Sequence, residues 1–297
     1  MRKKQIALLL AALLLLLAGC GGVRAPAPSV DPYEGMVQVE SGYGVKMWVK
    51  ELEGVPVSGF RAEDFGEGPD YLGTDRRVTR GIDVSEHQGE IDWAAVAASG
   101  VDFAMIRAGY RGYGEAGVLR EDLFFRANMD GALEHGLSVG VYFFSQALNA
   151  EEAEEEAAFL LELLEPYGPD ALDLPVYFDW EDITHDTART NGLDGAVITD
   201  CALAFTAAME AAGYTPGVYA YRYLGYFQYD LTRMGGLSLW IGAVGSWPDF
   251  YYAHELWQYS TEGKIPGIEG NVDLDLRFEP LAEEPPDAEP DAEIKAE

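Results

Sequence analysis

A chain of 297 residues, 48% of them hydrophobic, holds ample apolar material for a well-buried core, as one large domain with extensions or as two small ones. Its 51 acidic residues against 20 basic ones give a formal charge of -31, which excludes a nucleic-acid partner, because phosphate binding needs a basic footprint. Such a charge promotes solubility and self-repulsion.

The chain opens on Arg2, Lys3 and Lys4 and continues into an apolar stretch, Ile6 to Leu17, too short for an ordinary transmembrane span. This is the make-up of an export signal. It ends on Leu17-Ala18-Gly19-Cys20, which resembles the lipobox of bacterial lipoproteins, where signal cleavage leaves the cysteine as a diacylated N-terminus. Residues 1–20 are therefore expected to be a lipoprotein signal, with lipidation at Cys20 tethering the protein outside the cytoplasm on the cell membrane. The other cysteine, Cys201, lies in an apolar helical pattern and reads as a small core residue. With Cys20 acylated, no intramolecular disulfide remains.

Residues 21–79 form a linker and a small extension to which the sequence assigns no role. Gly21 to Pro32 has the composition of a flexible spacer. Met36 to Phe60 alternates around Gly42-Tyr43-Gly44, which predicts a β-hairpin. Residues 280–297 turn to Glu, Pro, Asp and Ala, a composition that cannot bury enough apolar surface to order itself.

Between these ends, residues 80–279 alternate short β-rich runs with helical patterns, the signature of a parallel sheet with covering helices. Eight strands are predicted: Gly81 to Ser85, Phe103 to Ala108, Ser138 to Ser145, Pro175 to Glu181, Gly217 to Tyr221, Ser238 to Val244, Glu255 to Tyr259 and Asn271 to Leu276. Helices are predicted from Trp93 with Asp92 as its cap, over Leu123 to His135, over Ala150 to Leu164 and over Asp194 to Ala212. Glu151 to Glu156 read as a solvated helix face. Beyond Tyr221 the connections shorten and gain Gly and Pro. The fold class is α/β: an imperfect β/α barrel of about five regular units with a less regular end of three further strands.

Strand phase points the same way. Ile82 and Val84 would face the helices with Asp83 and Ser85 inward; Val176, Phe178 and Trp180 outward with Tyr177, Asp179 and Glu181 inward; Val272, Leu274 and Leu276 outward with Asp273 and Asp275 inward. Inward carboxylates need partners, a metal or a wet mouth, and barrel enzymes have that mouth at the C-terminal strand ends. Asp179 and Glu181, two apart on one strand, project to one face roughly 6 to 7 Å apart at Cα. Such a pair suits glycoside hydrolysis: one protonated acid donates to the leaving oxygen while the other anion stabilises developing positive charge. Glu181, nearer the strand end, is the candidate acid. The structural alternative pairs Asp179 with Arg107.

Gly81-Ile82-Asp83-Val84-Ser85-Glu86-His87-Gln88-Gly89 followed by Ile91-Asp92-Trp93 resembles the opening of glycoside hydrolase family 25, the Chalaropsis-type lysozymes. Further matches follow in order at Phe103 to Gly109, Gly140 to Phe144, Asp179-Trp180-Glu181, Leu256-Trp257-Gln258-Tyr259 and Val272-Asp273-Leu274-Asp275. The resemblance implies a β/α barrel that hydrolyses the β-1,4 bond from N-acetylmuramic acid to N-acetylglucosamine in peptidoglycan. Glu181 would be the proton donor and Asp83, Asp179 and Asp273 would complete the acidic cluster. It also implies retention through the substrate's own acetamido oxygen, with Asp179 stabilising the oxazolinium. Where the family commonly has smaller aliphatics this chain has Tyr177, Phe178 and Trp180, and Phe143-Phe144 follows Tyr142 where a histidine is common.

Tyr142, Tyr219, Tyr221 and Trp240 are predicted to point inward, as sugar platforms or as barrel filling. Tyr142, Tyr219 and Trp240, with Gln258 of the Leu256-to-Tyr259 motif, are the candidate substrate contacts. His87 is expected to orient Asp83 or a loop. No zinc-ligand spacing and no cofactor motif is present, and a monomer is expected, with glycan strands and, through the lipid, the membrane as its partners. Two competing classes are a catalytically silent wall-glycan-binding protein and a hydrolase holding a divalent metal in the carboxylates.

Overall fold

The computed structural model describes residues 31–41 and 44–281; the signal, the lipobox with Cys20 and the acidic tail lie outside the described residues. By contacts the chain divides between Met36 and Val37, and the larger unit, which begins at Val37, contains the barrel. Eight strands close that barrel: β3 (Arg76–Val84), β4 (Phe103–Arg111), β6 (Ser138–Ser145), β7 (Val176–Trp180), β8 (Pro216–Tyr221), β9 (Ser238–Gly242), β10 (Leu256–Gly263) and β11 (Val272–Pro280). A short β5 (Leu119–Glu121) is appended to β4, and β3 pairs with β4 to close the ring. Each predicted strand is found.

Four predicted helices are found as α1 (Trp93–Ala98), α2 (Phe125–Glu134), α3 (Ala150–Leu164) and α4 (Gly195–Ala211), with a short α5 (Arg222–Phe227) after β8. Their starts obey capping chemistry. Asp92 accepts from the Ala95 amide at 3.1 Å, Asn149 from Glu152 at 2.9 Å and Asp194 from Ala196 at 2.8 Å. No helix joins β9 to β10 or β10 to β11.

One expectation is corrected: the barrel is not wholly parallel. The last strand, β11, runs antiparallel to both β10 and β3. Residues 264–271 form only a turn, and a parallel return would need a crossover of a dozen residues or more. Pairing with β11 also extends β3 back to Arg76, ahead of the predicted start at Gly81.

Alternation along the strands sorts two cores. Ile82, Val84, Val176, Phe178, Trp180 and Phe143 pack outward under the helices. Phe103, Met105, Tyr142, Leu174, Tyr177, Tyr219, Trp240 and Leu256 fill the barrel. Large inward rings need space opposite them: a Cβ at Gly81 would stand 2.1 Å from the Phe103 ring, and one at Gly217 would stand 2.4 Å from Tyr177. The bottom is closed by a polar chain in which the Tyr177 and Ser238 hydroxyls lie 2.8 Å apart, Ser238 donates to Glu255 at 2.6 Å, and Arg277 pairs with Glu255 at 2.7 Å. The acid-lined cavity lies at the opposite, C-terminal strand ends.

The extension before the barrel has a structural role that its sequence does not announce. Strands β1 (Met36–Glu40) and β2 (Lys46–Lys50) pair around the predicted turn, whose residues 42–43 lie outside the described residues. Residues after β2 then cover the outer face of β10 and β11, where no helix does so. Phe60 packs on Phe278 with ring centroids 4.6 Å apart, and Phe65 meets Trp257 at 5.7 Å and Phe278 at 6.1 Å. Backbone bonds hold the segment down: Ser58 N–H to Tyr251 at 2.9 Å and Ala253 N–H to Pro56 at 2.8 Å.

A second correction concerns α3. Glu156, expected on a solvated face, is wholly buried and pairs with Arg111 at 2.7 Å. Burial pushes its carboxyl up to about 7 in spite of the Arg111 and Ser145 contacts. Cys201, on α4, is buried in the core as expected.

Candidate active site

The C-terminal mouth holds a cavity of about 300 Å³ whose walls include Asp83, Asp179, Glu181 and Asp273. Three strand ends deliver these acids. Asp83 is the second-last residue of β3, Asp179 the second-last of β7 and Glu181 the residue just past it, so the strand stops one residue short of its predicted end. Asp273 comes from the start of β11, and antiparallel pairing places it directly opposite Asp83. Had β11 run parallel, its first residues would lie at the closed end.

Burial raises all four carboxylates, each among different neighbours. Gln258 donates from Nε2 to Asp83 at 2.8 Å and to Asp273 at 3.1 Å, and its Oε1 accepts from the Tyr219 hydroxyl at 2.9 Å. Its amide thus braces two acids and a phenol. Burial raises Asp83, and the neighbouring Asp275 and Asp273 carboxylates raise it further, against the donation from Gln258. Asp179 is 4% exposed; burial raises it most, Glu181 adds to the rise and Arg107 opposes it. Glu181, closer to solvent, is pushed up to about 6 by burial and then by the Asp273 charge. A carboxyl in that range is half protonated near pH 6 and keeps about a tenth of its protons at neutrality, far more than an ordinary glutamate, as a proton donor requires.

The pairing of Arg107 with Asp179 is not what the fold builds. Arg107 lies in the pit wall, but its Nε bonds Asp122 at 2.7 Å and its Nη2 lies 3.2 Å from Glu86. It acts on Asp179 through its field alone, leaving the buried Oδ1 of Asp179 without a hydrogen-bond partner.

Tyr142, Tyr219 and Trp240 line the pit, with Phe144 and His87 beside them. Trp240 is almost closed off at 2% exposure. Its ring packs against Tyr219 at 4.8 Å, Tyr177 at 5.5 Å and Tyr142 at 5.7 Å, so it forms the floor. Its Nε1 donates to Asp275 at 2.8 Å. His87 sits in a 3-10 turn, Glu86–Gln88, and its amide bonds the Ser85 hydroxyl at 3.3 Å. Of the unusual phenylalanines, Phe144 enters the pit wall and Phe143 packs outward.

The depth of Asp275 and the part played by Gln146 escape the sequence. Asp275, whose inward phase is legible, is completely buried one layer below Asp273, and burial raises its carboxyl to about 8. Gln146 is wholly buried; it donates to the backbone carbonyl of Glu181 at 3.2 Å and accepts from the Thr190 hydroxyl at 2.7 Å. It clamps the loop after β7 at the acid itself. Only the arrangement of α3 and that loop reveals it. Among the described residues no group of three or more His, Cys, Asp or Glu is placed to hold a metal ion.

A closed α/β barrel whose strand ends gather a raised glutamic acid and further carboxylates around one open pit defines the class of barrel glycosidases. Comparison gives the family. The sequence profile of glycosyl hydrolases family 25 matches residues 82–268, more than half of the chain. Lysozyme M1 of Streptomyces globisporus is 28% identical over 224 residues, which cover 71% of this chain and 72% of that one. A modular autolysin of Streptococcus pneumoniae, solved in complex with a synthetic peptidoglycan ligand, superposes with a TM-score of 0.58 at 26% identity, over 82% of this chain and 57% of its own. This chain thus spans a little over half of that autolysin. A family 25 glycosyl hydrolase of Bacillus anthracis shares the fold, with a TM-score of 0.56 at 22% identity over 71% of this chain and 93% of its own. The chain belongs to glycosyl hydrolase family 25.

Proposed function

We propose that this protein is a muramidase that cuts the glycan strands of peptidoglycan at the β-1,4 bond from N-acetylmuramic acid to N-acetylglucosamine. One observation carries it: Glu181, raised to about 6, stands at an open pit beside Asp179, Asp83 and Asp273. Family membership and a peptidoglycan-bound structural neighbour support the choice of substrate.

In this reading Glu181 protonates the glycosidic oxygen as the bond to the anomeric carbon breaks. The acetamido oxygen of the same sugar attacks that carbon and forms an oxazolinium, while Asp179 accepts the acetamido N–H and balances the positive charge. The N–H supplies the partner that Asp179 Oδ1 lacks. Water then attacks the same carbon, giving its proton to Glu181, as the bond from that carbon to the acetamido oxygen breaks and the acetamide is restored, so configuration is retained. Asp83 and Asp273, braced by Gln258, orient the substrate, and Tyr142, Tyr219 and Trp240 shape the floor on which the sugar rests. The Leu17-to-Cys20 motif further supports a lipid anchor that holds the enzyme at the membrane facing the wall.

The test is mass analysis of purified peptidoglycan digested by wild type and by Glu181→Gln. Wild-type products should carry reducing-end N-acetylmuramic acid, and the variant should release none while keeping its fold. Near-normal turnover by the variant overturns the assignment, N-acetylglucosamine at the reducing end makes the enzyme a glucosaminidase, and loss of activity in excess chelator points to a metal hydrolase. For the anchor, Cys20→Ser should leave the protein unprocessed or free of the membrane fraction.

A further inference from the structure

The mouth of the pit does not end at the acids. Across the rim made by β8 and β9 lies a second hollow of about 370 Å³, at the low end of ligand-site sizes of roughly 300–1,000 Å³. Met47 of β2 forms one side, and Tyr221, Tyr223, Phe227 and Val244 the other. No carboxylate lines it.

The two hollows are lined by neighbouring residues of the same strands, Tyr219 and Trp240 in the first and Tyr221 and Gly242 in the second. Tyr221 stands two residues beyond Tyr219 on β8, hence on the same face, and its hydroxyl donates to Asp182, the neighbour of Glu181, at 2.8 Å. Gly242, in register with Tyr221, lines the second hollow; a Cβ there would stand 2.4 Å from the Tyr219 hydroxyl, and Tyr219 lines the first. A side chain on Gly242 would intrude on that boundary. The open faces are apolar: Tyr223 is 50% and Phe227 55% exposed, with their rings 5.3 Å apart on one side of α5.

The platform is also held rigidly. Tyr226, between those two rings in sequence, packs on Phe250 at 4.6 Å and accepts the Tyr251 amide at 2.7 Å, while Arg222 pairs with Asp249 at 2.7 Å. The Tyr252 hydroxyl, in the same loop, donates to the carbonyl of Lys50, at the end of the strand that carries Met47. Little ordering is left for a ligand to impose, which favours binding.

We propose that this hollow is a glycan subsite that continues the catalytic cleft over the β8–β9 rim, with a sugar ring of the same strand lying on Tyr223 and Phe227 against Met47. The inference rests on the muramidase reading. An enzyme that cuts a polysaccharide within the chain must carry sugars on both sides of the bond, and the step from Tyr219 to Tyr221 and Gly242 along β8 and β9 leads one of those arms into the hollow. Pyranose faces present C–H groups to flat rings, and the phenols of Tyr221 and Tyr223 supply hydroxyl partners at the ring edge. The extension ahead of the barrel, through Met47, then takes part in substrate selection.

The experiment uses the full chain with the paired substitution Tyr223→Ser and Phe227→Ser, both half-exposed, and separately Met47→Ser. Thermal melting checks that each stays folded. Hydrolysis of long glycan strands should lose about tenfold in kcat/KM, whereas the shortest fragment that wild type cleaves should be cut at an unchanged rate. Equal rates on both substrates, or an equal loss on both, overturns the subsite. A second readout is independent of turnover: in a Glu181→Gln background, retention on sedimented peptidoglycan should weaken with the paired substitution. That weakening supports the subsite even if wild type proves inactive, in which case only the muramidase reading falls. Loss of binding to anionic lipid vesicles, with peptidoglycan retention unchanged, assigns the patch to a membrane surface and overturns the proposal.

Discussion

Asp83 and Asp273 face each other in direct register across the antiparallel pairing of β3 with β11, and the side-chain amide of Gln258 donates to both. The Asp273 carboxylate beside the buried Asp83 would otherwise repel it at close range. Replacing Gln258 with Leu removes both donations and leaves the Tyr219 hydroxyl without its acceptor. The expected result is a loss of about 1–3 kcal/mol of stability per unsatisfied buried group, together with a fall in kcat. Denaturant melts and steady-state rates read the two effects, and a variant with unchanged stability would show that the amide does not brace the acids.

The pH profile is set by Glu181. Its proton donor form is lost as pH rises through about 6, so kcat/KM should decline on an alkaline limb there. The Asp273 charge is one cause of the rise. Asp273→Asn should therefore move that limb to lower pH, whatever it does to the rate at the plateau. A limb that stays in place or moves upward would show that Asp273 does not act on the acid.

Asp275 ties stability to pH. Its carboxyl is raised to about 8 by burial, against the donation it accepts from Trp240 Nε1. A folded-state value above the unfolded one contributes stability that is fully present below about 4 and drains as pH rises toward 8, by about 1.4 kcal/mol for each pH unit in that window. Asp275→Asn cannot ionise and still offers Trp240 an oxygen. Its melting temperature should fall less than that of wild type between pH 5 and about 8. Parallel curves would mean that Asp275 does not titrate in the folded state.

Phe65 tests the extension. It is 6% exposed, wedged among Phe60, Tyr71, Trp257 and Phe278. Phe65→Ala should lower stability by about 3–5 kcal/mol, as for other large aromatic truncations. It touches no residue of the pit, so the rate per folded molecule should hold. A stability loss well under that range would show that the extension is not needed to cover β10 and β11.

Much of the fold was legible because its signals are local. Alternation at Ile82-Asp83-Val84 and Phe178-Asp179-Trp180 states which side chains turn inward, and a period of two needs no knowledge of the neighbouring strand. Capping at Asp92 and Asp194 likewise reads within one turn of helix. Glu156 shows the limit: its run of glutamates has a surface composition, and only Arg111, 45 residues away on β4, turns it into a buried ion pair.

By itself the sequence determined that Asp83, Asp179, Glu181, Asp273 and Asp275 point into one barrel, since each alternates with apolar neighbours. Tertiary structure alone decided their depth. The reversal of β11 lifts Asp273 to the mouth beside Asp83 and sinks Asp275 to the level of Gly81, where no water reaches it. Inward phase is a property of one strand, but depth is set by strand direction and register. Those depend on a ring closure between β3 and β11, some 190 residues apart, which no local pattern records.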